Sequence, residues 1–410
     1  MSACKTDQKE EVETKVEEPL PVIVTVNPMS MNGQPGITTE TGSVIAFPAG
    51  EGFVNFEVEI PEAGRYRSFV KYSKIEQSGE NAGEGYFWIE DYVDNTDDRT
   101  YNITGKMMIP KDAKSEVFKD GSPLNKGLHK MKLHYNGGMI EVHEVRFKLM
   151  RRHIASPEIL TQNVEGEEWE VVWSDEFDGS GIPDTTKWTF DIGNWGWGNN
   201  EVQYYTANRK ENARMENGNL VIEARKNDMG HEWTSTRLTT RGKVGFIYGK
   251  IEFRAKVPSK KGTWAAGWTL GNEYVDEISW PYCGEIDILE SVGFETDDET
   301  GDGIAHATVH SGAYYFKKGN HFTGDIPVED IANEFQVYSV EWTPSEIKAF
   351  VNGNHYYTYD KTANELEWPF NKAQNIILNL TLGGGWGGEI DESITSQKYI
   401  IDYVRVYGRK

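Results

Sequence analysis

The chain has 410 residues, 65 acidic against 42 basic, and a formal net charge of −23 at pH 7. That charge argues against nucleic acid or an anionic membrane surface as a partner and suits a neutral substrate better than a polyanionic one. No apolar run approaches membrane-spanning length, two cysteines make no disulfide framework, and the length allows two or three domains with sizeable cores.

Residues 1–21 hold nine charged residues and no aromatic, ending in Glu17-Glu18-Pro19-Leu20-Pro21. Such a composition cannot bury a core, so it reads as a flexible acidic tether. Ser2-Ala3-Cys4 followed by Lys5-Thr6-Asp7-Gln8-Lys9 resembles the end of a bacterial lipoprotein signal, where the Cys is acylated. The hydrophobic stretch of such a signal is missing before it. The resemblance implies an extracellular or cell-surface lipoprotein, anchored by Cys4 in a bacterial outer membrane.

From 22 to 150 the pattern becomes that of short strands. Val54, Phe56, Val58 and Ile60 alternate with Asn55, Glu57 and Glu59, a half-buried strand by period two. Pro61-Glu62-Ala63-Gly64 turns the chain, and Tyr66 to Tyr72 resumes the extended pattern. Met131, Leu133 and Tyr135 alternate before the Asn136-Gly137-Gly138 turn. A small all-β sandwich is expected. Its Ala63-Gly64-Arg65-Tyr66-Arg67 segment and closing Val145-Arg146-Phe147 strand resemble carbohydrate-binding modules of families 6 and 35. Those modules open with a strand carrying two glutamates for calcium, and Val22-Ile23-Val24-Thr25-Val26 has none. Trp88 is the single tryptophan of this region. A sugar-binding module on a tether would raise the local concentration of a neighbouring enzyme on its polymer; a domain that merely supports the enzyme is the other reading. Residues 151–164 have no clear period and read as a linker.

From residue 165 on, β-rich segments recur between Gly, Asn and Asp turns, without an internal repeat. Gly284-Glu285-Ile286-Asp287-Ile288-Leu289-Glu290 puts three carboxylates inside a run that otherwise reads as a buried strand. Glu285 and Asp287 share a face by strand alternation. Glu290, at an odd offset, needs one extra residue, a β-bulge, to join them. Three acids on one face repel and cost desolvation, and paired carboxylates astride a sugar linkage are the usual reason for such an arrangement. Trp264, Trp268, Trp280 and Trp386 supply aromatic faces of the kind sugar rings stack on, although each alone could be core. Cys283 reads as a small buried apolar residue.

Trp280-Pro281-Tyr282-Cys283 before the acidic strand resembles the active-site strand of glycoside hydrolase family 16, laminarinase type. Trp173-Ser174-Asp175-Glu176-Phe177-Asp178-Gly179, Glu341-Trp342-Thr343-Pro344 and Asp402-Tyr403-Val404-Arg405-Val406-Tyr407 resemble other strands of that family, in its order, over residues 165–410. The fold class implied is all-β, a jelly-roll β-sandwich catalytic domain preceded by the smaller β-sandwich. The resemblance implies Glu285 as nucleophile, Glu290 as acid/base and Asp287 as their support, with net retention. It implies Asn200, Arg237, Trp264, Trp268, Trp280, His310 and Trp386 as cleft residues, His310 being equally readable as structural. No cofactor is required for the chemistry. One structural calcium is implied, through backbone oxygens near Glu176 and Gly218 and the Asp402 carboxylate. Histidine is not expected to ligate a metal here. The expected partner is a β-1,3-glucan such as laminarin, cut by a monomer. Mixed 1,3/1,4-glucan and algal galactan (agarase or carrageenase type) are the alternative substrates, and a non-catalytic β-glucan-binding protein the alternative class. The last would have lost one or both glutamates.

Overall fold

The computed structural model of the protein describes residues 22–410 apart from 27–30, 34–37, 41–43, 76–84, 93–99 and 112–114. The tether at 1–21, with Cys4, lies outside the described residues.

Residues 23–152 form two six-stranded sheets. In one, Gly127–Gly137 lies between Gly50–Ile60 and Gly85–Tyr92, antiparallel to both. In the other, Gly64–Lys74 lies between Glu116–Leu124 and Ile140–Arg152. Alternation decides which side chains enter. Val54, Phe56, Val58 and Ile60 are buried, and they share one core with Tyr72, Val145 and Phe147 of the facing sheet. Each such burial contributes about 1.5–3 kcal/mol.

Residues 158–409 form a larger sandwich of a nine-stranded and a ten-stranded sheet, nearly all antiparallel and open-edged: a jelly-roll architecture. The centre of the nine-stranded sheet runs Gln374–Leu382, Thr263–Gly271, Glu285–Val292, Gly303–His310. Gly249–Lys256 and Ser396–Arg409 pair in the sheet behind it. Ile286, Ile288 and Leu289 from the first sheet and Phe253, Trp342 and Val404 from the second belong to one core.

The segment read as a linker is built into this sandwich. Glu158–Thr161 forms an edge strand parallel to Val244–Ile247. The Ser156 hydroxyl bonds the Asn375 side chain. An unpaired sheet edge offers free backbone donors and acceptors, and it recruits a neighbouring segment whatever that segment's hydrophobic period.

The two sandwiches also pack on each other. Ile278, in the loop joining the 263–271 and 285–292 strands, packs against the smaller sandwich's core. In the same loop Asp276 Oδ2 accepts the Asn125 N–H at 2.8 Å, and the Trp280 carbonyl accepts the Tyr101 hydroxyl at 3.3 Å.

Beneath the acidic strand the two sheets meet at Gly267, where a Cβ would stand 2.3 Å from Phe253 Cζ. Gly267→Ala should therefore cost about 1–3 kcal/mol through overpacking. Denaturant unfolding should show a lower midpoint at unchanged slope; an unchanged midpoint would mean that Phe253 moves aside freely.

Candidate active site

The register between Glu285–Val292 and Thr263–Gly271 slips by one residue. Gly267 faces Leu289 and Trp268 faces Asp287, so Ile288 has no counterpart. The bulge returns Glu290 to the face of Glu285 and Asp287, and all three acids line one cleft. Ile288 and Leu289 meanwhile both reach the core.

Indole N–H groups hold the two outer acids. Trp264 Nε1 donates to Glu290 Oε1 at 3.0 Å, and Trp280 Nε1 donates to Glu285 Oε2 at 2.8 Å. Trp268 Nε1 donates instead to Asn379 Oδ1 at 2.7 Å. The Trp268 ring lies under the Arg237 guanidinium, 4.7 Å away, and Trp197 lies 4.8 Å from that same guanidinium. Arg237 thus sits between two indoles, with Asp191 Oδ2 accepting from its Nε at 3.1 Å.

Burial, then the nearby Glu290 charge, pushes the Glu285 carboxyl up, while the Trp280 N–H pulls the other way. Burial raises Glu290 too, against the Trp264 N–H. Asp287 is pushed well up by burial and then by both glutamates, so these neighbours cannot all be ionised together. His310 is driven down to about 3, first by burial and then by His321, which leaves it neutral at ordinary pH. Its Nε2 lies 3.8 Å from Glu285 Oε1 and 3.6 Å from Asp287 Oδ2. At those distances a neutral ring makes contacts and no ion pair.

Trp264 and Trp268 line the cleft as neighbours on one strand face, with Trp280 and Arg237. Trp280 is only 7% exposed, so its N–H on Glu285 matters more than its face. Trp386 stands edge-on to Trp264 at 5.4 Å and to His306 at 5.0 Å, extending the wall on the Glu290 side. His310 lies behind the acids, against Trp280 and Phe316. Asn200 is exposed in a turn at φ +58°, and its neighbours Asn199 and Glu201 line the cleft in its place. Cys283 is buried beside Leu270 and Ile377.

Sequence reasoning missed Glu201, Glu277, Asn379 and Trp197, all on the cleft wall. Glu201 is pushed up to about 7, chiefly by burial, and accepts bonds from Gln203 and Asn199. An acid between asparagines and glutamine was the available signal.

The calcium expectation finds no support in the side chains. Arg254 NH1 donates to Asp402 Oδ2 at 2.5 Å, and Arg405 holds the Glu176 carboxylate at 2.7 and 3.0 Å. Gly218 adopts φ +72° with Asp178 nearby. The expected ligands at 176 and 218 are backbone oxygens, which these side-chain bonds do not engage; of the set, only the Asp402 carboxylate is taken by a guanidinium. A different set, Glu285, Asp287 and His310, has ligand atoms within 4.8 Å of one another, a spacing that would accommodate a cation. Adjacent strands bring His310 there, so no local spacing announces it.

The model for "Glycosyl hydrolases family 16" matches residues 200–405. A beta-glucanase of Rhodothermus marinus is 46% identical over 249 residues, covering 58% of this chain and 85% of its own length. The X-ray structure of the laminarinase from the same organism aligns with TM-score 0.55 at 45% identity, over 59% of this chain and 98% of that one. The catalytic domain of an endo-1,3-beta-glucanase (laminarinase) from Thermotoga petrophila aligns with TM-score 0.53 at 41% identity, over 60% and 99%.

The raised carboxyls fix a pH dependence of stability. Well below the ordinary carboxyl values of 4.5 for Glu and 3.8 for Asp, both folded and unfolded chains keep these groups protonated, and no penalty arises. As pH rises the unfolded chain ionises first, so folding loses stability until the raised folded values are passed. Glu285→Gln removes one such group, and its amide oxygen keeps the Trp280 bond. The variant should match the parent near pH 4 and exceed it by about 1–3 kcal/mol at pH 8. An equal gap at both pH values in urea unfolding would contradict the raised carboxyl.

Proposed function

The chain belongs to family 16 of the glycosyl hydrolases, and from that premise we propose that it is a retaining endo-β-1,3-glucanase acting on laminarin-type glucans. The observation that carries the proposal is the trio Glu285, Asp287 and Glu290 on one strand face, with an indole N–H on each glutamate. The names of the relatives, laminarinase and endo-1,3-beta-glucanase, support the substrate class.

Glu285 attacks the anomeric carbon while Glu290 gives its proton to the departing glycosidic oxygen. Burial raises both glutamates and each indole N–H favours the charged form of the one it holds, so the pair shares protons, and the reactive microstate is the one with Glu285 ionised and Glu290 protonated. A covalent glycosyl-enzyme results. Glu290, now a carboxylate, takes a proton from water, whose oxygen attacks the same carbon and frees Glu285. Two inversions give retention. Burial and both glutamates disfavour charge on Asp287, which limits the negative charge the site carries beside the reacting pair. Trp264 and Trp268 offer ring faces to the sugars on either side of the reacting bond.

Glu285→Gly and Glu290→Ala should each lower laminarin hydrolysis by about 10²–10⁴ or more. Azide should restore turnover of an activated aryl glucoside in Glu285→Gly, with an inverted glycosyl azide as product. In Glu290→Ala a good leaving group should recover the glycosylation step, seen as a burst of released aryl group, while hydrolysis of the glycosyl-enzyme stays slow for want of the base. Near-parent rates on laminarin in both variants would refute the assignment.

For the smaller sandwich we infer a glycan-binding role. Phe53, Tyr86, Trp88, Tyr92 and His134 share the sheet face turned away from its core, each half-buried. Trp88 stacks flat on His134 across the strand pair, centroids 3.7 Å apart and planes within 4°. That stacking presents a rigid aromatic ridge. In native gels containing laminarin, full-length Trp88→Ala should migrate faster than the parent, from a loss of about 1–3 kcal/mol of contact. Equal retardation of the two would leave this face without a sugar.

A further inference from the structure

The catalytic cleft does not end at Arg237. Trp197, Arg237 and Tyr274 line it and also line a second cavity, of about 70 Å³, between the two sandwiches. Both sandwiches give that chamber cations: Arg65 and Arg151 from the smaller, Arg237 and Arg241 from the larger. Asp191 is the one acidic residue among those lining it, and it is bonded to Arg237.

Of the other arginines lining it, Arg152 is paired with Glu62 at 2.5 and 3.4 Å, but Arg65, Arg151 and Arg241 are poorly matched. The carboxylate nearest Arg65 is Asp120, 3.8 Å from its NH1, and Asp120 already takes Arg67 through two bonds at 2.8 and 3.0 Å. Arg151 NH1 donates to the Phe190 carbonyl at 3.3 Å. Arg241 is the extreme case. Its Nε and NH2 are buried with no hydrogen-bond partner, and its guanidinium lies 4.9 Å from the Tyr274 ring centre. Burial pushes the pKa of both Arg65 and Arg241 down, outweighing Asp120 at the first and Asp191 at the second. His153, at the same wall, is lowered to about 4 by burial and by Arg241, and brings no negative charge. A buried guanidinium without an acceptor is costly, and a cluster of them is costlier.

We propose that this chamber is an anion site at the end of the cleft, taking a sulfate- or carboxylate-class group. The planar donor fork of Arg241 suits two oxygens of one oxyanion, and Arg65 and Arg151 face the same space from the other sandwich. Two sources share this chemistry: a free oxyanion from solution, or an acidic substituent on the end sugar of a glycan lying in the cleft. Only the second source rests on the glucanase reading. The chain's net charge of −23 makes the local concentration of arginine a feature of this site and not of the surface at large.

The test uses the full chain. Sodium sulfate is titrated against sodium chloride at matched ionic strength while the melting midpoint is followed. The parent should show a saturable rise, and Arg241→Met and Arg65→Met should lose it, each variant being checked by its own cooperative melt in chloride. The general salting effect of sulfate does not saturate and is shared by the variants. No saturable rise in the parent, or the same rise in both variants, overturns the site. A second arm compares KM for neutral laminari-oligosaccharides with ones carrying a carboxylate at either end. A KM about 3- to 10-fold lower for one acidic form, lost in Arg241→Met, assigns the glycan as source. Equal KM values beside a saturable sulfate rise assign the free oxyanion.

Discussion

Ile288 has no partner across the sheet, and that one-residue slip puts Glu290 on the same face as Glu285 and Asp287. A flat strand would have sent the third acid into the core or the first two out of the cleft. With the slip, three carboxyls share one wall and repel one another, and the surrounding structure answers that repulsion. Two indole N–H groups favour charge on the outer acids, and His310 stays neutral behind them. The same slip turns two consecutive apolar residues, Ile288 and Leu289, toward the core, which anchors the bulge from behind. Reactivity and packing therefore share one irregularity.

The cationic side of the cleft follows a different logic. Arg237 is flattened between Trp197 and Trp268 and tied to Asp191, so its charge is fixed in place without approaching the acids as an ion-pair partner. It lowers the Glu285 carboxyl only from a distance, as a lesser cause than burial. A closer arginine would quench the difference between nucleophile and acid on which double displacement depends.

Much of this was legible in the chain. The acidic run, its need for a bulge and the shared face of Trp264 and Trp268 are local facts, set by strand alternation over a few residues. The alternation of Val54 to Ile60 likewise foretold the smaller sandwich's core. What stayed hidden depends on segments far apart in sequence. Glu201 joins the cleft because its backbone bridges to Gly383, and His310 arrives from the next strand. Trp280 was legible as an aromatic near the site, but its bond to Glu285 follows from the loop that carries it. The edge strand at 158–161 and the unmatched Arg241 reflect how the sandwiches meet, which no period records.

That meeting changes how a polymer would experience the molecule. Ile278 is packed into the smaller sandwich, the Trp280 carbonyl is held by Tyr101, and the connecting segment is itself a sheet strand. A hook on a loose line works by prolonging residence near the target, and its benefit scales with the length of the line. Here no slack lies between the halves. The loop that carries Trp280, and with it the indole N–H on Glu285, is thus braced by the smaller sandwich as a mortise braces a tenon, so a loosened seam would be felt at the nucleophile.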